Sequence, residues 1–156
     1  MNTQATDNIE KVILLAPTDM VAWASRDKNH ETNIEKARKL ISKNKPTALV
    51  DAQCWPDEAP LSAQTYLSIC VVNTFADIYG ERENGTPLGN VNKPMLIVYG
   101  SDDTGIKEIY GSIDNWKART EAIVNTTTRI VTIEGASHSF KHFEKQLADA
   151  IENFAL

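Results

Sequence analysis

The sequence predicts an α/β protein, a three-layer αβα arrangement with about three parallel strands and flanking helices. Three observations carry this. Val12-Ile13-Leu14-Leu15-Ala16 and Met95-Leu96-Ile97-Val98-Tyr99 are apolar without polar alternation, and Arg129-Ile130-Val131-Thr132-Ile133 repeats the plan. Such runs are the habit of strands buried on both faces of a parallel sheet. Helical stretches separate them, in the order strand, two helices with a long excursion, strand, helix, strand, helix, and right-handed crossovers turn that alternation into a layered parallel sheet. Finally, a chain of 156 residues, 42% hydrophobic and 24% charged, has the length and composition of one folded domain with a real core.

Charge and cysteine usage narrow the classes further. A net charge of −5 argues against a nucleic-acid binder, which would show a basic face. No apolar run approaches membrane-spanning length. Residues 1–11 are polar, with neither the cationic nor the apolar region of a secretion signal, so the expectation is a cytoplasmic chain. Cys54 and Cys70 share no metal or redox spacing and read as buried or partly buried thiols in a reducing compartment. The Asn-X-Thr sequons at Asn84 and Asn125 carry no meaning there.

Along the chain, residues 1–10 form a lead-in and residues 12–16 the first strand, stopped by Pro17. Residues 19–27 read as a loop carrying Trp23. Residues 29–43 read as a helix that Asn29 or Thr32 can cap, with Ile34, Ala37, Leu40 and Ile41 on one face and a Glu35–Lys39 pair. Residues 47–60, with Trp55, Pro56 and Pro60, read as irregular. A helix over about 62–72 has Ser62 as its N-cap and Tyr66, Ile69 and Cys70 on its inner side. Residues 73–93 are a loop. Pro94 suits the start of the strand over 95–99, because its missing N–H costs no ladder bond there. An acidic loop follows, then a helix over about 114–124 capped by Asp114, with Trp116, Ala118 and Ile123 inward. The strand over 129–133 leads to a last helix over about 140–154, in which Phe140, Phe143, Leu147, Ala150, Ile151 and Phe154 form one stripe. The whole, residues 1–156, reads as a single domain with an excursion over about 18–92 and a core over about 93–156.

Two loops concentrate the chemistry. Gly100-Ser101-Asp102-Asp103 ends one strand, and Glu134-Gly135-Ala136-Ser137-His138 ends the next. In open α/β sheets ligands sit at the carboxyl ends of the strands, so parallel neighbours would project an Asp and a His from one edge. His138 suits proton transfer near neutrality. Asp103 or its neighbour Asp102 suits the carboxylate that orients it, and residue type alone does not separate the two. The competing readings are a surface-loop His and a turn Asp bonded to its own backbone. His142, four residues after His138, could suggest paired metal ligands but has no third ligand, and reads as a solvated helix residue. His30 reads as surface. Trp23, Trp55 and Tyr66 fit either a substrate cap or ordinary packing. Gly85-Thr86-Pro87-Leu88-Gly89 neither follows a strand nor opens a helix, so it is no phosphate cradle.

Gly100-Ser101-Asp102-Asp103, then Gly135-Ala136-Ser137-His138-Ser139-Phe140, then a closing amphipathic helix, together resemble the C-terminal part of an α/β-hydrolase of the serine esterase type. Ala16-Pro17-Thr18-Asp19-Met20 and Leu61-Ser62-Ala63-Gln64-Thr65-Tyr66-Leu67 are similar to an uncharacterised branch of that family that includes fungal siderophore esterases. The resemblance implies a partial α/β-hydrolase fold, a lid in the 18–92 excursion, Asp103 and His138 as triad acid and base, an ester or related acyl substrate, and no cofactor or metal. The sequence departs from the family in having no Gly-X-Ser-X-Gly elbow. It therefore reads as the acid-and-histidine half of a triad enzyme, inactive by itself. The alternative is a non-catalytic small α/β protein that acts only by binding a partner. The first strand would be an edge here, so the expected partners are the missing N-terminal half or a second copy through residues 12–16.

Overall fold

The computed structural model describes residues 8–50, 60–74 and 76–156. They fall into two compact units, Met1–Thr18 with Leu88–Leu156, and Asp19–Pro87.

The first unit is built on a parallel sheet of β1 (Val12–Leu15), β4 (Met95–Gly100) and β5 (Thr128–Ile133), in the order β1-β4-β5. β4 lies in the middle, and all six of its residues are buried. Strand alternation splits them between two faces. Leu96 and Val98 join Ala16, Ile133, Ala136 and Phe140, and α6 (Glu144–Ala155) closes that face with Leu147, Ala150, Ile151 and Phe154. On the other face Tyr99 meets the fully buried Trp116 of α5 (Ile113–Ile123), edge to face, with ring centroids 4.5 Å apart. Helices on both faces of a parallel sheet make the three layers the apolar runs predict. Between β4 and α5 lies a short α4 (Thr104–Tyr110).

Several boundaries differ from the sequence reading, each for a local reason. The first strand ends at Leu15, because Ala16 turns into the left-handed region at φ 43°. It is not buried on both faces: among the described residues it has a neighbour on one side only, and Ile13 and Leu15 stay exposed. The acidic loop after β4 is largely helix α4, hidden from the sequence reading by its shortness and by Gly105. α5 begins at Ile113 and is capped by the Ser112 hydroxyl, which accepts from the Asn115 N–H at 3.1 Å, so Asp114 is not the cap. Its buried partner to Trp116 is Thr120, one turn on, whereas Ala118 is exposed. α6 begins at Glu144, four residues later than its stripe suggests. Phe140 and His142 take positive φ (54° and 71°), so residues 140–143 are a loop that packs its phenylalanines onto the face the helix continues. Apolar spacing alone does not separate those two cases.

In the second unit, α2 (His30–Ser42) and α3 (Ala63–Ile69) pack together around Ala24, Ile34, Ala37, Val50, Tyr66 and Cys70. Ser62 caps α3 as expected, accepting from the Thr65 N–H at 3.2 Å, though α3 stops at Ile69. Leu49–Val50 (β2) and Leu61–Ser62 (β3) pair antiparallel, so this stretch is not wholly irregular. The loop expected around Trp23 is helix α1 (Met20–Ala24), capped by Asp19, whose Oδ1 accepts from the Ala22 N–H at 2.9 Å. Cys70 is a buried thiol outside any disulfide, as read. Cys54, Trp55 and Pro56 lie outside the described residues. Among the described residues no helix is long and apolar enough to cross a membrane.

Candidate active site

The site is made where β4 and β5 end side by side. Their register runs Tyr99 to Thr132 and Gly100 to Ile133, so both chains leave the sheet at the same level. The two turns are then stapled together. Ser101 N–H donates to Ile133 O at 3.0 Å, Asp102 N–H to Ala136 O at 2.9 Å, and Gly135 N–H to the Ser101 hydroxyl at 2.7 Å. Gly100 is what lets them meet. A Cβ there would stand 2.0 Å from Ala136 O and 2.9 Å from Ser137 O, both backbone atoms that no rotamer change can move. Gly135, at φ 76°, supplies the left-handed turn that starts the histidine loop.

Asp103 sits on this platform, fully buried. Its carboxylate divides its oxygens. Oδ1 accepts from the Ile106 N–H at 3.1 Å and so caps α4, while Oδ2 lies 2.8 Å from His138 Nδ1. The helix that the sequence reading missed is therefore one of the supports of the site. Asp102 points elsewhere: it is exposed and pairs with Lys107 at 3.0 Å. Of the two neighbouring carboxylates, Asp103 is the one that reaches His138.

Electrostatics fit the geometry. Burial by itself would push the Asp103 carboxyl up, but the hydrogen bond from His138, the Ile106 and Gly105 N–H groups and the His138 charge outweigh it and hold the acid below its ordinary value. The same bond to Asp103, aided by its charge and opposed by burial, raises His138 above the usual imidazole value. With Asp103 ionised, its oxygen can only accept, so Nδ1 carries the proton and Nε2, across the ring, keeps the basic lone pair. The His138 side chain is 58% exposed while Asp103 is not exposed at all. A buried carboxylate thus orients an accessible imidazole, an arrangement able to take a proton from a hydroxyl or water and return it.

The serines on the two turns have other partners. Ser101 accepts from Gly135, and Ser137 and Ser139, which flank His138, approach each other at 3.4 Å. A cleft of about 430 Å³ opens on the α5 side of the sheet, lined by Tyr99, Ser101, Lys107, Lys117, Thr132 and Glu134 among others. Neither Asp103 nor His138 lines it. We take the histidine–carboxylate pair, not this cleft, as the candidate site, because only the pair has groups arranged for chemistry.

The remaining sequence candidates fall elsewhere. His142 is exposed, in the loop before α6 and not on it, and its N–H donates to Glu144 Oε1 at 3.1 Å. His30 is half-buried, not a free surface residue: its Nδ1 lies 2.7 Å from the Tyr66 hydroxyl. Tyr66 is fully buried in the core of the second unit and Trp23 packs against the same core, which is the packing reading of both. Among the described residues no three His, Cys, Asp or Glu side chains cluster closely enough to hold a metal ion. The roles of Gly100 and Ser101 were missed by sequence reasoning; the signal available was their place in Gly-X-X-Asp at a strand end.

No protein-family model matches this chain, and no curated protein matches it. The assignment of the site therefore rests on its own geometry.

Proposed function

We propose that Asp103 and His138 are the acid and base of an acyl-transfer site of the α/β-hydrolase type, acting on carboxylic esters or related acyl bonds. The serine hydroxyl would come from outside these 156 residues, which contain no Gly-X-Ser-X-Gly. The observation that carries this reading is the 2.8 Å bond from His138 Nδ1 to a fully buried Asp103 at the ends of adjacent parallel strands. In the reaction His138 Nε2 takes the proton as the serine oxygen attacks the acyl carbon, then gives it to the departing alkoxide. Water repeats the sequence to release the acid from the acyl-enzyme. Asp103 holds the tautomer and stabilises the imidazolium without itself taking the proton. No cofactor is required.

A second reading, a non-catalytic α/β protein that acts by binding a partner, is favoured by one observation: Ser101, Ser137 and Ser139, on the two turns that carry the pair, already have partners. Expression together with the segment encoded immediately upstream separates the two. The first reading expects a Gly-X-Ser-X-Gly in that segment and ester hydrolysis that falls by about 10⁴-fold with Asp103→Asn and is lost with His138→Ala. The 156-residue chain alone should show no His138-dependent turnover of p-nitrophenyl esters. An upstream segment without a nucleophile, or a joined protein indifferent to His138, refutes the acyl-transfer proposal.

A further inference from the structure

The cleft of about 430 Å³ holds neither Asp103 nor His138, so acyl transfer gives it no task. Its floor follows from strand alternation: Tyr99 and Thr132 stand in register on neighbouring strands, and Ser101 and Glu134, two residues further along each chain, line the same space. The start of α5 closes it. Every lining residue lies between Tyr99 and Glu134, within the first unit, and β1 takes no part. Hydrogen-bond donors collect here without acceptors. The Ile113 and Asp114 N–H groups open the eleven-residue α5, and among the described residues nothing accepts from them, because Ser112 takes the Asn115 and Trp116 N–H groups instead. Thr132 Oγ1 and the hydroxyl of the fully buried Tyr99 share a single bond of 2.6 Å, so one of their two protons is also left over. Lys117, one turn into α5, has only a loose pairing with Glu121 at 3.8 Å, whereas Lys107 is held by Asp102 at 3.0 Å.

Carboxylates line the same space. Glu134 has no hydrogen-bond or ion-pair partner among the described residues, and neither lysine of the cleft pairs with it or with Asp114. Opposite charges that share one small space without meeting leave room for a group that carries both. We infer that the cleft binds a free α-amino acid as its zwitterion. The carboxylate takes the α5 N–H groups, the spare hydroxyl proton and the Lys117 ammonium, a set of donors suited to an anion. The ammonium takes Glu134, with Asp114 as a second carboxylate. The volume lies at the small end of ligand pockets, which run from about 300 to 1,000 Å³, and so suits a molecule of this size. A simple anion would meet Glu134 as repulsion, and a simple cation would leave the helix N–H groups unanswered. The occupant also stands against the staple of the histidine loop, because Ser101 lines the cleft and accepts the N–H of Gly135, the neighbour of Glu134. The site does not depend on what the Asp103–His138 pair does.

Amide NMR of the nitrogen-15-labelled 156-residue chain tests the site with four probes. L-alanine carries both charges, propionate is the same molecule without the ammonium, ethylamine is the same molecule without the carboxylate, and inorganic phosphate is a plain anion. L-alanine is expected to shift the Ile113, Asp114 and Gly135 amides saturably in the millimolar range, with each of the other three weaker by about tenfold or more, the worth of one charged hydrogen bond. Glu134→Gln should weaken L-alanine by about tenfold and bring it level with propionate. Lys117→Met should weaken L-alanine and propionate and leave ethylamine as it was. Glu134 is exposed and the Lys117 side chain is 41% exposed, so both variants should keep the amide spectrum of the folded chain. Lys145→Gln, on α6 across the sheet, should change nothing. The inference is overturned by a titration without saturable shifts at those amides, by propionate, ethylamine or phosphate binding the wild type as tightly as L-alanine, or by L-alanine binding that survives both Glu134→Gln and Lys117→Met.

Discussion

Replacing Gly100 with alanine loads the site at its tightest point. The added methyl would meet Ala136 O at 2.0 Å, and real Cβ atoms essentially never come within 3.0 Å of a heavy atom, so the two turns must part by about 1 Å. Both sides of the contact are backbone, so the separation has to be taken up by the histidine loop or the end of β4. If the loop moves with Ala136, the 2.8 Å bond from His138 to Asp103 opens to about 3.8 Å, past hydrogen-bonding range. The imidazole then loses the main cause of its raised pKa and should titrate nearer the ordinary histidine value of 6.5. Overpacking at a buried site of this kind costs about 1–3 kcal/mol. The assay is an NMR titration of the His138 ring protons beside a thermal melt. Gly111→Ala is the control. Gly111 has φ 79° and ψ −34° but only Asn115 Nδ2 nearby, at 3.7 Å, so alanine there costs about 1–3 kcal/mol in backbone strain without touching the His138 titration. A Gly100→Ala protein whose His138 keeps its elevated pKa would refute the claim that this glycine sets the contact between the two turns.

Asp103→Asn should lower the His138 pKa while leaving α4 capped, since an amide oxygen can still accept from Ile106 N–H. The wild-type pair should add stability that fades as pH falls through the lowered Asp103 pKa, where the unfolded chain holds its proton more tightly. It should fade again as pH rises above 6.5 through the raised His138 pKa, where the folded chain does. Denaturant titrations across pH should show both slopes in the wild type and neither in Asp103→Asn. Trp116→Ala removes a fully buried ring stacked edge-on against Tyr99 and should cost about 3–5 kcal/mol. A loss under 1 kcal/mol by chemical denaturation would mean that α5 does not hold its face of the sheet.

Much of this architecture could be read from the chain alone, because the signals concerned are local. An apolar pentad such as residues 95–99 has nowhere to go but the middle of a sheet, and β4 is there with every residue buried. The stripe Leu147, Ala150, Ile151 and Phe154 has one helical face to offer, and α6 uses it. The spacing of Asp103 and His138 after their strands is likewise a sequence property. Other features depend on what each residue meets. The choice between Asp102 and Asp103 turns on a 2.8 Å contact with a loop 35 residues away. The start of α6 moved to Glu144 because Phe140 and Phe143 pack onto the sheet from a loop whose backbone turns at residues 140 and 142. Gly100 could be seen as a strand terminator, but its role as the space that Ala136 O occupies exists only once two turns are brought together. Periodicity and spacing report which face a residue presents; only the packed chain decides which atoms stand against that face.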